Sequence, residues 1–159
     1  MPAGKPHVCP GSMARSLNKK QEPPVQAEQK KVPQNAGEQT SRLAQWPVQI
    51  KLVPVNAPYF ENAQLLIAAD CTAYAYAGFH EKDHVTLIGC PKLDEGDYAD
   101  KLAEIIGNNS IRSIRIVRME VPCCGGIENA VIRAMERSGK MIPWQVVTIA
   151  CDGTIREEL

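Results

Sequence analysis

Residues 111–140 read IRSIRIVRMEVPCCGGIENAVIRAMERSGK, and the fold turns on how this stretch is divided. Its first part, 111–121, is rich in β-branched residues, which suit a pleated, half-buried strand. The arginines within it predict that one face is less buried. Its last part places Ile127, Ala130, Val131, Ala134 and Met135 on one side of a helix. Glu128, Arg133 and Arg137 fall mostly opposite, and Gly139 marks the stop. A strand running into a helix through a six-residue turn, VPCCGG, is one half of a parallel crossover unit.

The same rhythm extends in both directions. "LLIAA" (65–69) and "VTLIG" (85–89) are short apolar runs of the kind covered on both faces, and "WQVVTIA" (144–150) is a further strand. "VQIKLV" (48–53) alternates and also predicts a strand. Asp94 is placed to cap a helix through Tyr98, Leu102, Ile105 and Ile106, stopped at Gly107-Asn108-Asn109. Residues 71–79 suit a shorter helix, and "CDGTI" a turn into a terminal hairpin. The expected fold is therefore α/β: a mainly parallel open sheet of about five strands with flanking helices and right-handed crossovers.

Residues 1–44 predict a disordered tail ahead of a domain at 45–159. Pro2, Pro6, Pro10, Pro23, Pro24 and Pro33 punctuate it, Gln and Lys fill it, and it has too few large apolar residues to offset its ordering entropy. The formal net charge of the 159-residue chain is zero, and the tail has no Tyr, Phe or Trp for bases to stack on. Nucleic acid is thus not an expected partner. No apolar run is long enough to span a bilayer, and the N-terminus has no secretory pattern, so the expectation is a cytoplasmic protein without a membrane partner.

Six cysteines in a reducing compartment point to metal ligation or thiol chemistry before disulfides. Their placement is the informative part. Cys71 follows "LLIAAD", Cys90 follows "VTLIG", and Cys123 and Cys124 follow "IRIVRMEVP". Strands in a parallel sheet end along one edge, so four thiols are expected at one rim. Four thiolates suit a [4Fe-4S] cluster or tetrahedral zinc, although a vicinal pair sits poorly on one ion. A metal-free thiol redox or cysteine-nucleophile protein, a partner-binding domain, and plain buried cysteines stay open. Gly125 and Gly126 are expected to supply unusual backbone angles and close N–H approach to such a cofactor, and Lys92 to offset its charge.

Other residues read more plainly. Cys9 is a tail thiol and Cys151 belongs to the last turn. His80 and His84 flank a polar loop, Asp70 suits a helix cap, and Tyr74 and Tyr76 suit packing. There is no G-x-G-x-x-G, Walker lysine motif, G-x-S-x-G or H-E-x-x-H.

"QWPVQIKLVPVNAPYF", "LLIAADCTAYAYAGFH", "LIGCPKLD" and "MEVPCCGG" together resemble the C-terminal domain of a prokaryotic 4Fe-4S ferredoxin-type protein family. "HVCPGS" (7–12) is similar to that family's "GGCPGS" segment. The likeness covers about residues 43–155. It implies iron–sulfur binding and electron transport, with Cys71, Cys90, Cys123 and Cys124 as the cysteines carried over and Cys9 as the tail cysteine. A ferredoxin or a reductase is the redox partner it implies. The C-x2-C-x2-C-x3-C run of the family's N-terminal ferredoxin domain is not found in this chain.

Overall fold

The structure, a computed structural model, describes residues 10–17, 41–79 and 83–159. In chain order it contains β1 (Arg15–Ser16), β2 (Gln45–Trp46), β3 (Ala63–Ala69), α1 (Thr72–Ala75) and β4 (His84–Gly89). There follow α2 (Tyr98–Asn108), β5 (Ile111–Met119), α3 (Gly125–Ser138), β6 (Trp144–Ile149) and β7 (Ile155–Glu158).

β3 is an interior strand of the sheet, buried on both faces. Leu65 and Ile67 point into one apolar layer with α2 and α3, while Leu66 and Ala68 point into a second with Phe79, Val117 and Ile149. The strand order is β4-β3-β5-β6-β7. The first four are parallel, and β7 folds back antiparallel on β6 as the expected hairpin. From β3 the chain crosses to β4 on one side, and from β4 it returns past β3 to β5 on the other. The reversal of direction lies between β3 and β5.

α2 and α3 pack on each other over the first layer. Asp97 caps α2 by accepting the Ala99 N–H at 2.9 Å, and Arg133 of α3 pairs with the same carboxylate. Gly139 ends α3 in the left-handed region at φ 69°, where a side chain would be strained. The apolar stripe of α3 is buried as its spacing predicts.

Three expectations are corrected. "VQIKLV" (48–53) is not a regular strand. It makes one parallel bridge, Gln49 to Ile88, then turns back as the Leu52 and Val53 N–H groups bond Gln49 O. That turn buries Ile50 and Val53, three residues apart, so helical rather than alternating spacing describes it. The α2 cap is Asp97 and not Asp94, because residues 90–96 first form a turn on Cys90 O that closes at Gly96, φ 86°. The β5 arginines do not mark one open face: Arg115 pairs with Glu158 and Arg118 with Glu128, three residues apart and so on opposite faces. In the described part of the N-terminal segment, β1 pairs antiparallel with β2, and the Trp46 indole N–H donates to Gly11 O at 2.9 Å; most of residues 1–44 lies outside the described residues.

β4's outer edge is closed by a side chain. The fully buried Gln45 amide donates to Thr86 O at 2.5 Å, and its carbonyl accepts the Thr86 N–H at 3.4 Å. Replacing it with Ala strands a donor and an acceptor away from water. Gln45→Ala is expected to lose ~1–3 kcal/mol of stability, read as a shift in urea midpoint at unchanged slope.

Candidate functional site

Each parallel strand delivers a cysteine to the same end of the sheet. Along the rim the order is Cys90 after β4, Cys71 after β3, Cys123 and Cys124 after β5, and Cys151 after β6. Neighbouring strands lie ~4.8 Å apart, so residues distant in sequence become neighbours here. Cys71 lies between Cys90 and the vicinal pair, beside the point where the crossovers reverse, which is where open α/β sheets form their clefts.

The turn after β5 is a single 3-10 turn, Pro122–Cys124, running into α3. The Cys124 N–H bonds Val121 O at 3.1 Å, and the Gly125 N–H bonds Cys123 O and Pro122 O. Successive residues of such a turn point about 120° apart, which divides the vicinal pair. Cys123 is exposed. Cys124 is 6% exposed and sits in the apolar layer with Val117, Met119 and Ile149. Burial pushes the Cys124 thiol up from its ordinary value, and the nearby Cys123 and Cys71 sulfurs add to that. Cys71 is exposed and Cys90 half-buried. Among the described residues, no three His, Cys, Asp or Glu side chains are arranged to hold a single metal ion.

The glycines serve packing and not unusual angles. Gly125 is ordinary helix at φ −59°. A Cβ on Gly126 would lie 2.9 Å from the Pro91 Cβ, so the Cys90-Pro91 loop rests directly on the first turn of α3. That contact ties the Cys90 strand end to the CCGG turn. Tyr98 clamps the same loop from below: its hydroxyl covers Gly89 and donates to Asp94. Burial raises the Tyr98 hydroxyl well above its usual range, with Asp94 adding to the shift. On the other side of the rim, the β6–β7 turn packs on α1, where a Cβ on Gly153 would meet Ala75 O at 2.3 Å.

Asp70 precedes Cys71 but caps nothing; α1 begins instead with the Thr72 hydroxyl donating to Ala69 O at 2.7 Å. One Asp70 carboxylate oxygen is buried with no hydrogen-bond partner among the described residues. Burial raises the carboxyl, Asp94 raises it further, and a Gln49 hydrogen bond opposes both. Cys151 stands apart from the other thiols in its bonding. Glu120 accepts its backbone N–H at 3.0 Å, pairs with Arg156, and by accepting from the thiol raises it.

Lys92 is exposed in the loop after Cys90. His84 opens β4 and so lies at the opposite end of the sheet from the cysteines. Tyr74 is 96% exposed and packs on nothing, whereas Tyr76 joins the second apolar layer. Cys9 and His80 lie outside the described residues. Sequence reasoning missed the Gly126–Pro91 contact, the Tyr98 clamp and the Glu120–Cys151 pairing. Only the last had a local sign, an acidic residue at the very end of a strand.

Fold and rim together define an α/β protein with cysteines at the ends of its parallel strands. Residues 57–159 match the family model of the Rossmann-like domain, and the chain belongs to that family. It is similar to an uncharacterized protein of Archaeoglobus fulgidus, 29% identical over 115 residues that cover 71% of this chain and 82% of that one. No solved structure matches it significantly.

Two substitutions separate the roles of the glycines. Gly126→Ala forces Cβ into the Pro91 ring and is expected to cost ~1–3 kcal/mol. Gly125→Ala meets only the movable Arg118 guanidinium, at 3.4 Å, and is expected to be neutral or to gain up to about 1 kcal/mol from helix propensity. Chemical denaturation of both variants distinguishes them.

Asp70 supplies a pH test. Its folded-state carboxyl is raised, so the folded chain binds more protons than the unfolded one between the ordinary and the raised values. Stability falls as pH climbs through that window and stays lower above it. Asp70→Asn is expected to be more stable than the parent chain at pH 7, with the gain vanishing below the ordinary Asp value; denaturation midpoints across pH measure it.

Proposed function

We propose that the rim is an iron–sulfur site, with Cys71, Cys90, Cys123 and Cys124 as ligands to one cluster of the [4Fe-4S] type, serving electron transfer. The observation that carries this reading is the placement of cysteines after three adjacent parallel strands, β4, β3 and β5, along one rim of the sheet. The resemblance to the ferredoxin-type family points the same way. Four sulfurs around one zinc at about 2.3 Å would sit roughly 3.8 Å from each other. A row of strand-end thiols is better suited to a broader guest that touches several strands.

The cluster, when bound, supplies one-electron redox chemistry. The chain's own residues set its terms. Cys71 and Cys123 are exposed to solvent and so accessible to the cluster. Pro91 on Gly126 holds Cys90 against the vicinal pair. The positive end of α3 and exposed Lys92 lie where they offset negative charge. Cys124 has to leave its apolar seat and give up a proton. Since burial holds that proton more firmly than in a free thiol, loading weakens as pH falls, and does so from a higher pH than for unperturbed thiols.

A ferredoxin or reductase would exchange electrons with the exposed side of the rim. A reducing compartment such as the cytoplasm would keep the five described cysteines, all free, available as thiols. Among the described residues no helix is long and apolar enough to cross a membrane.

Anaerobic purification followed by iron and acid-labile sulfide analysis tests the reading. About four of each per chain, an electron paramagnetic resonance signal on reduction, and loss of both in Cys71→Ser and Cys123→Ser are expected. Reconstitution yield should drop as pH is lowered from 9 to 7, and a Cys124→Ser chain should lose that dependence along with its tight binding. Protein that holds no iron after anaerobic reconstitution overturns the proposal.

A further inference from the structure

The split within the vicinal pair has a consequence that needs no metal. We propose that the metal-free chain forms one reversible disulfide, between Cys71 and Cys123, in response to a hydroperoxide, while Cys124 stays a reduced thiol. This proposal shares its sulfurs with the cluster reading but does not rest on it.

Three observations select the pair. Cys71 and Cys123 are the exposed thiols at the ends of β3 and β5, which are hydrogen-bonded neighbours paired through Ala68 and Val117. The vicinal bond itself is disfavoured: consecutive Cα atoms are about 3.8 Å apart, short of the ~4.4–6.8 Å that a relaxed disulfide spans. The two thiols hydrogen-bond each other but differ in access, Cys123 exposed and Cys124 buried in the apolar layer. Cys151 is occupied by Glu120 and stands beyond β5, and Cys90 is half-buried beneath Pro91's contact with Gly126.

The chemistry balances with the peroxide as oxidant. One exposed thiolate attacks the peroxide O–O bond, gaining a hydroxyl as a sulfenic acid and releasing the alcohol, or water from hydrogen peroxide. The second thiol then displaces that hydroxyl as water and closes the S–S bond. Two thiols lose two electrons and two protons in total, and the peroxide takes up both. A dithiol reductant reverses the step by exchange.

The test uses the full chain, freed of metal by chelation and treated with a small excess of hydrogen peroxide. Non-reducing peptide mapping by mass spectrometry should find a Cys71–Cys123 link in most molecules, lost on dithiothreitol treatment. Cys124→Ser should retain the link; Cys71→Ser and Cys123→Ser should lose it at least tenfold and leave the remaining partner as sulfinic or sulfonic acid. Circular dichroism of each variant confirms that it is folded. A link that includes Cys124, Cys90, Cys151 or Cys9 in place of this pair overturns the proposal, as does unoxidised or over-oxidised parent protein. Iron and sulfide analysis on the same preparation before chelation scores the cluster reading separately, so either can fall alone.

Discussion

Parallel pairing of β3 with β4 on one side and β5 on the other is the constraint on which the rest of this molecule depends. A parallel strand cannot be joined to its neighbour by a tight turn, so each crossover must carry the chain back over a face of the sheet. That requirement produces α2 and α3 on one face and the short α1 segment with Phe79 on the other. It also sends every parallel strand's end to the same side. The thiol rim follows from connectivity before any cysteine chemistry is considered.

Within the rim, packing assigns different states to chemically equal groups. Cys123 and Cys124 are adjacent in sequence, yet one meets water and the other meets Val117, Met119 and Ile149. Burial disfavours the thiolate, so the inner sulfur keeps its proton where the outer ones are open to solvent. Cys151 is a third case, with its proton committed to Glu120. The five described cysteines thus divide into an exposed pair, one buried thiol, one half-buried thiol and one carboxylate-bound thiol.

The close contacts around the site explain why small residues recur there. Gly126 admits Pro91, Gly89 admits the Tyr98 ring, and Gly153 admits Ala75 O. Gly126–Pro91 and Gly153–Ala75 each join a loop at one strand end to an element following another, while Tyr98 holds the end of its own preceding strand beside Cys90. A substitution at Gly126 therefore acts on the Cys90 loop, remote in sequence. The ion pairs between α2 and α3, such as Arg137 with Asp100, are exposed and contribute little beside these contacts.

Local patterning was enough to determine the strand–helix alternation, the apolar face of α3, the stop at Gly139 and the arrival of cysteines at strand ends. Periodicity and backbone preference act over a few residues and are written in the chain directly. The same patterning misled at 48–53, where a turn buries Ile50 and Val53, and at Asp94, where a preceding turn moved the cap to Asp97. Only the folded sheet decided the order β4-β3-β5-β6-β7, and with it Cys71's place between Cys90 and the vicinal pair, Cys124's burial and Pro91's seat on Gly126. Those are contacts between residues tens of positions apart, set by which surfaces bury each other best, and no short window of sequence contains that competition.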